Sequence, residues 1–219
     1  SLAAADGTKL HAWYCRPPNA KATLLFLHGN GGNVTNRFHY ITYLQRVPLA
    51  VFVLDYRGYG KSEGSPGEQG LYADGEAAYQ WLVAQGVAPQ SLILYSESLG
   101  CGVAVELATR LKVAGIILQC AFSSISDMQR AVLPIPLGWA LSTKMANRDK
   151  IARVSCPKLF FHSPADEIVP YKLRRRLFEA APEPTRFVEY PGVGHNDWPG
   201  RYEKNWRQEI ETFVAEVVK

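Results

Sequence analysis

The segment Leu92–Ala108, LILYSESLGCGVAVELA, places a serine between an apolar run and a helical pattern. The sequence motif Gly-x-Ser-x-Gly at such a junction is typical of a sharp strand-to-helix turn that exposes a nucleophilic serine. Ser98 occupies the serine position and Gly100 the second glycine, but Ser96 replaces the first glycine. Serine is also a preferred N-terminal cap of helices. This segment alone therefore leaves Ser98 open to either role.

Two later segments supply the groups that a nucleophilic serine needs. In GVGHND, Gly192–Asp197, His195 lies in a glycine-rich turn after the last predicted strand, where the alternative to a catalytic base is a solvated loop histidine. In FFHSPADEIVP, Asp166 and Glu167 precede a predicted helix. The carboxylate that orients the catalytic imidazole is one interpretation of Asp166, and a carboxylate that favours the helix N-terminus is the alternative. The chain order Ser98, Asp166, His195 favours a triad in which His195 is the base and Asp166 orients it.

A run of small residues follows a predicted strand in Leu24–Asn33, LLFLHGNGGN. Such a run can turn tightly and direct backbone N–H groups at a developing oxyanion. We predict an oxyanion hole made by the backbone amides of Asn30 and Leu99, with Gly31 as the second candidate for the loop donor. Two other motifs do not fit nucleotide binding, because GNGGNV lacks the last glycine of a dinucleotide fingerprint and DYRGYGKS lacks the first glycine of a phosphate loop.

The residues that carry this chemistry lie at the ends of short apolar runs separated by helical patterns. Several runs are apolar at every position, which is typical of parallel strands covered on both faces. The alternation predicts an α/β fold with a mostly parallel central sheet and helices on both faces. The N-terminal Lys9–Cys15, KLHAWYC, alternates with a period of two and is predicted to be an antiparallel edge strand. The other predicted strands are Ala22–His28, Ala50–Asp55, Ser91–Tyr95, Ala114–Gln119, Lys158–His162 and Arg186–Tyr190.

The stretch from about residue 122 to 150 interrupts this alternation. Pro134 and Pro136 should break any helix there. We predict one domain over residues 1–219, with a lid-like insertion over about 122–150 that follows the sixth strand and covers the carboxyl edge of the sheet. Its apolar residues either form an acyl pocket for a short to medium chain or pack the insertion onto the sheet; they are Leu133, Ile135, Leu137 and Trp139.

Composition excludes several classes of protein. The 219 residues carry 24 basic and 20 acidic side chains, a net charge of +4, which is too mild to indicate nucleic-acid binding. We interpret the basic run Lys172–Leu177, KLRRRL, as a solvated helix face. The dispersed cysteines are typical of reduced thiols and do not predict a zinc site; they are Cys15, Cys101, Cys120 and Cys156.

No membrane span is predicted either, because no run approaches the roughly 18 consecutive apolar residues that one requires. No secretory signal pattern is visible at the front of the chain. We therefore expect a cytoplasmic protein with a small-molecule partner. The sequence starts at Ser1, so an upstream membrane anchor is compatible with it. Nothing in the residues predicts the oligomeric state.

The motifs FLHGNGGNVTNR, VLDYRGYGKSEGSPGEQGLYADG, LYSESLGCGVAVELA, HSPADEIVP and GVGHND together resemble the α/β-hydrolase superfamily. They are similar in particular to small serine hydrolases related to the bud-emergence proteins and the abhydrolase-domain depalmitoylases. The resemblance covers nearly the whole chain. It implies a triad of Ser98, Asp166 and His195, hydrolysis of acyl esters or thioesters, and no metal or organic cofactor. The chain departs from the group at Ser96, at Ser163 and at Cys120–Ala121, where Glu-Ser-Pro is usual.

Together these observations predict a serine hydrolase that cleaves carboxylic ester or thioester bonds of small to medium acyl substrates. A peptidase or amidase acting through the same triad is one alternative. Another is a binding protein of the same fold that has lost catalysis because of Ser96. Haloalkane dehalogenases and epoxide hydrolases are disfavoured, because both need an aspartate at the position of Ser98.

Overall fold

A computed structural model of the chain describes residues 2–132 and 143–218. Eight strands form one sheet in the order β1-β2-β4-β3-β5-β6-β7-β8, and all pairs from β4 to β8 are parallel. The strands are β1 Leu2–Ala3, β2 Lys9–Cys15, β3 Ala22–Leu27, β4 Leu49–Asp55, β5 Leu92–Glu97, β6 Gly115–Gln119, β7 Lys158–His162 and β8 Thr185–Glu189. The helices are α1 Phe38–Leu44, α2 Glu68–Ala84, α3 Leu99–Ala108, α4 Ile125–Val132, α5 Asn147–Ile151, α6 Tyr171–Glu179 and α7 Glu203–Val217. The predicted α/β fold is confirmed.

The central strands are apolar throughout because both of their faces are covered. Every residue of β3, β4, β5 and β6 is buried. Along β3, Leu25 and Leu27 belong to the core on the side of α2 and α3, whereas Leu24 and Phe26 belong to the core on the side of α1 and α7. This division follows from the alternation of side chains along a strand.

The N-terminal strand β2 pairs antiparallel with β4, as predicted. The prediction that it forms the edge is wrong, because the two-residue strand β1 pairs outside it at Leu2 and Ala3. Strand β5 extends two residues further than predicted, to Glu97, so the strand ends directly before Ser98. Strand β3 ends one residue earlier, at Leu27, and leaves His28 at the start of a loop.

Helices cover both faces of the sheet around Ser98. Helix α2 packs closely on α3, as Gly75 shows: a Cβ added there would lie only 2.8 Å from Val103. The C-terminal helix α7 covers the other face through a buried stripe of Trp206, Ile210, Phe213 and Val214. An amphipathic stripe of this kind anchors a helix by apolar burial.

Part of the predicted insertion lies within the described residues. Helix α4 and the residues before α5 are joined where the Ile125 N–H donates to the Lys144 carbonyl at 3.0 Å. The Glu68 carboxylate of α2 accepts from the N–H groups of Lys144 and Met145. The proposed acyl-pocket residues Leu133, Ile135, Leu137 and Trp139, and also Pro134 and Pro136, lie outside the described residues. Within residues 2–132 and 143–218, no helix is both long and apolar enough to span a membrane.

Candidate active site

Ser98 lies alone between β5 and α3, with φ +49° and ψ −113°. A non-glycine residue with positive φ costs on the order of 1–3 kcal/mol, and such strain concentrates at functional sites. The Ser98 N–H donates to the Gln119 carbonyl at 2.9 Å, which fastens the turn to β6. Although Ser98 stands at the N-cap position, its side chain makes no capping hydrogen bond. The interpretation of Ser98 as a helix cap is therefore wrong.

The two positions that flank Ser98 in the motif have different requirements. A Cβ on Gly100 would lie 1.9 Å from the Leu27 carbonyl oxygen, so only glycine fits there. Ser96 is fully buried, and its hydroxyl donates to the Ile117 carbonyl at 2.8 Å. The serine at the first glycine position is thus satisfied by β6 and does not obstruct the turn.

The structure brings the three predicted residues together from three separate strand ends. His195 Nε2 lies 3.2 Å from Ser98 Oγ. His195 Nδ1 lies 2.8 Å from Asp166 Oδ2. The carboxylate accepts at Nδ1, so Nδ1 carries the proton and Nε2 is left as an acceptor for the serine hydroxyl. This is the arrangement in which an imidazole can remove the proton of a serine.

Asp166 is buried but ionised. Its second oxygen, Oδ1, accepts from the N–H groups of Ile168 at 3.0 Å and Val169 at 2.8 Å. Burial raises the pKa of Asp166, but the hydrogen bond and charge of His195, the charge of Arg174 and the Val169 N–H outweigh it, so the pKa lies below its ordinary value. A carboxylate held in this way keeps the imidazole of His195 in one tautomer.

The adjacent Glu167 holds the backbone rather than the ring of the histidine. Its Oε2 accepts from the His195 N–H at 3.0 Å. Backbone N–H groups, those of Glu167 itself and of His195, lower the pKa of this carboxyl. The two neighbouring carboxylates therefore have separate tasks, since Asp166 bonds the imidazole and Glu167 fixes the turn that carries it.

Arg174 is a site residue that the sequence analysis missed. We interpreted KLRRRL as a solvated face, but Arg174 is buried against the Asp166 loop, residues 163–170. Its guanidinium donates to the Ser163 carbonyl at 2.8 Å and to the Val169 carbonyl, contacts His162, and lies 3.4 Å from Asp166 Oδ2. Burial and the charge of Arg174 lower the pKa of His162 to about 3. The solvated interpretation is thus wrong for this one arginine.

The Asn30 loop, residues 28–33, lies beside the elbow, which is the sharp turn at Ser98 between β5 and α3. Within residues 2–132 and 143–218, the N–H groups of Asn30, Gly31 and Leu99 donate to no other group. Unpaired N–H groups are what an oxyanion hole needs, and the role of Asn30 and Leu99 in one stays a prediction. The Tyr59 hydroxyl donates to Asn30 Oδ1 at 2.7 Å and holds the side chain of this residue. Arg37 and Glu97, which pair beside this loop, were also missed.

A cavity of about 420 Å³ opens at Ser98, Leu99 and Asn30. Its walls are mainly apolar, with Tyr59, Glu68 and Thr143 as the other polar residues; the apolar ones include Leu71, Phe122, Ile125, Met128 and Ile168. A cleft of about 480 Å³ between β1 and α2 contains no residue of this site. The volume and lining at Ser98 are typical of small-molecule sites.

One cluster within the site has the composition of a metal centre. Ligand atoms of Cys120, Asp166 and His195 lie within 4.8 Å of one another. Burial and the neighbouring Asp166 raise the pKa of the Cys120 thiol well above its usual value. A metal ligand must be the thiolate. Two of the three members of the cluster, Asp166 and His195, already bond to each other in the triad, so the cluster belongs to the site described above.

The order of the strands, the sharp turn at Ser98 and the three polar residues at the strand ends together are typical of an α/β hydrolase. The family model described as "Serine aminopeptidase, S33" matches residues 18–150. An uncharacterized protein of Mycobacterium tuberculosis is 39% identical over 196 residues, which cover 88% of this chain and 70% of that protein. Human alpha/beta hydrolase domain-containing protein 17B is 35% identical over 196 residues, covering 87% of this chain and 66% of the human protein. The chain belongs to the Serine aminopeptidase S33 family of the α/β-hydrolase superfamily.

Solved structures agree on the fold. The protein Est1E from Butyrivibrio proteoclasticus, solved with ferulic acid, has a TM-score of 0.81 and 18% identity, covering 100% of this chain and 99% of that one. The esterase domain of a Rhodothermus marinus protein has a TM-score of 0.78 and 20% identity, covering 100% and 97%. At these identities the likeness is one of fold.

Proposed function

We propose that this hydrolase cleaves carboxylic ester or thioester bonds through an acyl-enzyme on Ser98. One observation carries the proposal. A continuous hydrogen-bonded chain runs from Asp166 through His195 to the hydroxyl of Ser98, with distances of 2.8 and 3.2 Å. That hydroxyl lines an apolar cavity beside two free backbone donors. A nucleophile, a base, an orienting acid and an oxyanion site are the groups that acyl transfer requires.

The reaction proceeds in two steps. His195 Nε2 removes the proton of Ser98 as Oγ forms a bond to the acyl carbon, and the carbonyl oxygen becomes an anion bound by the amides of Asn30 and Leu99. The bond to the leaving oxygen or sulfur then breaks, and the leaving group takes the proton from His195. A water molecule then gives a proton to His195 as its oxygen bonds to the acyl carbon. The bond from that carbon to Ser98 Oγ breaks, Oγ takes the proton from His195, and the carboxylic acid leaves.

The cavity supports an apolar acyl group of short to medium length. Its apolar walls can bury hydrocarbon, at about 0.8 kcal/mol for each buried CH₂ group. The carboxylate of Glu68 is the acidic group among the described lining residues, and it is occupied by the N–H groups of Lys144 and Met145 and by the Tyr72 hydroxyl. With Lys150 Nζ also 3.7 Å away, this carboxylate is less suited to binding a cationic substrate than an unpaired one.

A peptidase or amidase is the second candidate, favoured by the description of the matching family. An aminopeptidase must bind the ammonium of its substrate, and the occupied state of Glu68 speaks against this in the described part of the cavity. The third interpretation, a binding protein without catalysis, depends on Ser96. The hydroxyl of Ser96 points to Ile117 of β6, so it gives that interpretation no support.

Turnover of a substrate panel tests the proposal. The panel contains p-nitrophenyl esters, acyl thioesters of the same chain lengths and aminoacyl anilides. We expect esters and thioesters to be hydrolysed and Ser98→Ala to lower kcat by about 10⁶. Ser91→Ala, at the opposite end of the strand that leads to Ser98, is the matched control and should keep full activity. Activity retained in Ser98→Ala, or confined to the anilides, contradicts the proposal.

A further inference from the structure

A buried ion pair lies directly beside the elbow and has no part in the triad. Arg37 Nε and Nη2 donate to the two carboxylate oxygens of Glu97 at 3.3 and 3.1 Å. The side chains are only 10% and 11% exposed. Glu97 is the residue that precedes Ser98, and Arg37 ends the 3₁₀ turn Val34–Arg37 that follows the Asn30 loop. The pair thus joins the elbow to the far end of that loop.

Arg37 also holds the loop itself. Its remaining terminal nitrogen, Nη1, donates to the Gly31 carbonyl at 2.8 Å. A guanidinium is a rigid planar fork, so its three contacts fix the carboxylate of Glu97 and the carbonyl of Gly31 at one spacing. On the other side, a Cβ on Gly29 would lie 3.0 Å from Glu97 Oε1, so the same carboxylate packs against the start of the loop.

Other polar contacts hold the ends of the loop and the Asn30 side chain, among them His28 Nδ1 at 2.7 Å from the Gly29 carbonyl and the Tyr59 hydroxyl on Asn30 Oδ1. The main chain from Asn30 to Gly32 has little apolar packing around it. Asn30, Gly31 and Gly32 are exposed, and a methyl group on Gly31 would meet no atom within 4 Å. Gly31 and Gly32 have φ values of +83° and +67°, a region that glycine enters at low cost and leaves as easily. Apolar packing therefore does not fix the Asn30 amide. Polar contacts must fix it instead, and Arg37 supplies the contact to the main-chain carbonyl of Gly31.

We propose that Arg37 and Glu97 are positioning residues that hold the Asn30 amide at the distance from the Leu99 amide at which both bind one oxyanion. The proposal rests on the proposed function, because it assigns a task within the same reaction. Neither residue lines the cavity at Ser98. Both act through the backbone, Arg37 through Gly31 and Glu97 through its place next to Ser98.

Loss of the pair should slow the chemical step and spare substrate binding. Removing one oxyanion donor lowers kcat by about 10²–10³. Misplacement by about 1 Å costs on the order of 10². We expect Arg37→Met to lower kcat by about 10- to 100-fold, with KM changed less than about threefold, since the acyl cavity is left intact.

The experiment compares Arg37→Met, Arg37→Lys and Glu97→Gln on a p-nitrophenyl ester. Affinity for a trifluoromethyl ketone is measured in parallel, because addition of Ser98 to this inhibitor creates an oxyanion that needs both amides. Arg37→Lys keeps a positive charge near Glu97 but lacks the fork, so it should lose kcat while unfolding near the wild-type temperature. Lys158→Met is the matched control, because it removes a buried cation that bonds the Val154 and Cys156 carbonyls at the other end of the sheet.

The expected result is a parallel loss of kcat and of inhibitor affinity in the three variants, with neither loss in Lys158→Met. If Arg37→Met does not fold, kcat and inhibitor affinity are compared in Arg37→Lys and Glu97→Gln alone. Unchanged kcat and inhibitor affinity in folded variants, whatever their stability, overturn the inference. Labelling of the unsubstituted enzyme with a fluorophosphonate separates the two failures: if Ser98 reacts there, the proposed function stands although the positioning role fails, and if Ser98 does not react, the proposed function itself fails.

Discussion

Two buried arginines lie on opposite sides of Ser98, and their surroundings differ. On the side of the Asn30 loop, called the oxyanion side after its proposed role, Arg37 donates to both carboxylate oxygens of Glu97. On the acid side, Arg174 meets mainly backbone carbonyls and His162, and lies 3.4 Å from Asp166, which already bonds His195. Within the described residues, Arg37 therefore pairs with a carboxylate that bonds no other side chain, whereas Arg174 shares its carboxylate, Asp166, with His195.

This difference suggests that Arg37 acts by holding atoms in place and that Arg174 acts through its charge. A neutralised pair acts by holding atoms in place, as the exposed glycines of the Asn30 loop require. A cation that faces buried ionisable side chains changes their pKa values. Arg174 helps to lower the pKa of Asp166 and lowers the pKa of His162 to about 3. We therefore expect the acid side to respond mainly to charge and the oxyanion side mainly to shape.

The largest expected effect is on the acid side. Asp166→Asn should lower kcat by about 10⁴, because an amide can favour the wrong tautomer of His195 and cannot stabilise the imidazolium. Glu167→Gln is the matched control at the next residue, since its side chain bonds the His195 backbone and not the ring. We expect it to keep kcat within about tenfold, because its amide oxygen still accepts that N–H. Equal losses in the two variants would remove the distinction between these carboxylates.

The next effect tests shape on the oxyanion side. Gly100→Ala should lower the free energy of unfolding by about 3 kcal/mol or more, because its Cβ would overlap the Leu27 carbonyl just before the Asn30 loop. Gly67→Ala is the control, since Gly67 has extended backbone and no atom within 4 Å of an added Cβ. Urea unfolding measures both. A loss in Gly100→Ala no larger than that in Gly67→Ala would contradict the close approach of α3 to β3.

One component of the pH dependence of stability should come from His162 on the acid side, beside the component from His28, whose pKa burial also lowers. In the unfolded chain His162 takes up a proton near the ordinary histidine pKa of 6.5, whereas in the folded chain its pKa is about 3. The unfolded state thus binds more protons between these values, so the free energy of unfolding falls as pH falls through this window, by up to about 1.4 kcal/mol per pH unit. His162→Gln should lack this component. Urea unfolding at several pH values from 7 to 4 compares the slopes, and parallel curves would contradict the prediction.

The smallest effect concerns the replaced motif glycine. Ser96→Gly should lower the free energy of unfolding by about 1–2 kcal/mol, through the lost hydrogen bond to Ile117 and the added freedom of glycine in a strand. Activity should stay within about threefold, since the turn at Ser98 already accommodates a side chain at position 96. A gain in kcat of tenfold or more would show that Ser96 impairs the elbow after all.

The sequence alone predicts the parts that depend on local pattern. Apolar runs identify six strands to within two residues, and the Ser98 junction, the Asp166 segment and the His195 turn lead to residues that the structure brings into hydrogen-bond distance. Arg174 could have been found, because it lies between Leu173 and Leu177, the buried residues of α6. Arg37 could not, since its partner Glu97 is 60 residues away and neither segment has a pattern that refers to the other.

Fluorophosphonate labelling of Ser98 tests the central claim most directly. The protein is treated with the probe, digested and analysed by mass spectrometry, and His195→Ala is treated in the same way. We expect one adduct, on the peptide that contains Ser98, and a labelling rate that falls by about 100-fold or more without the imidazole. An unlabelled Ser98, or an adduct formed equally fast in His195→Ala, would show that the imidazole does not activate this hydroxyl.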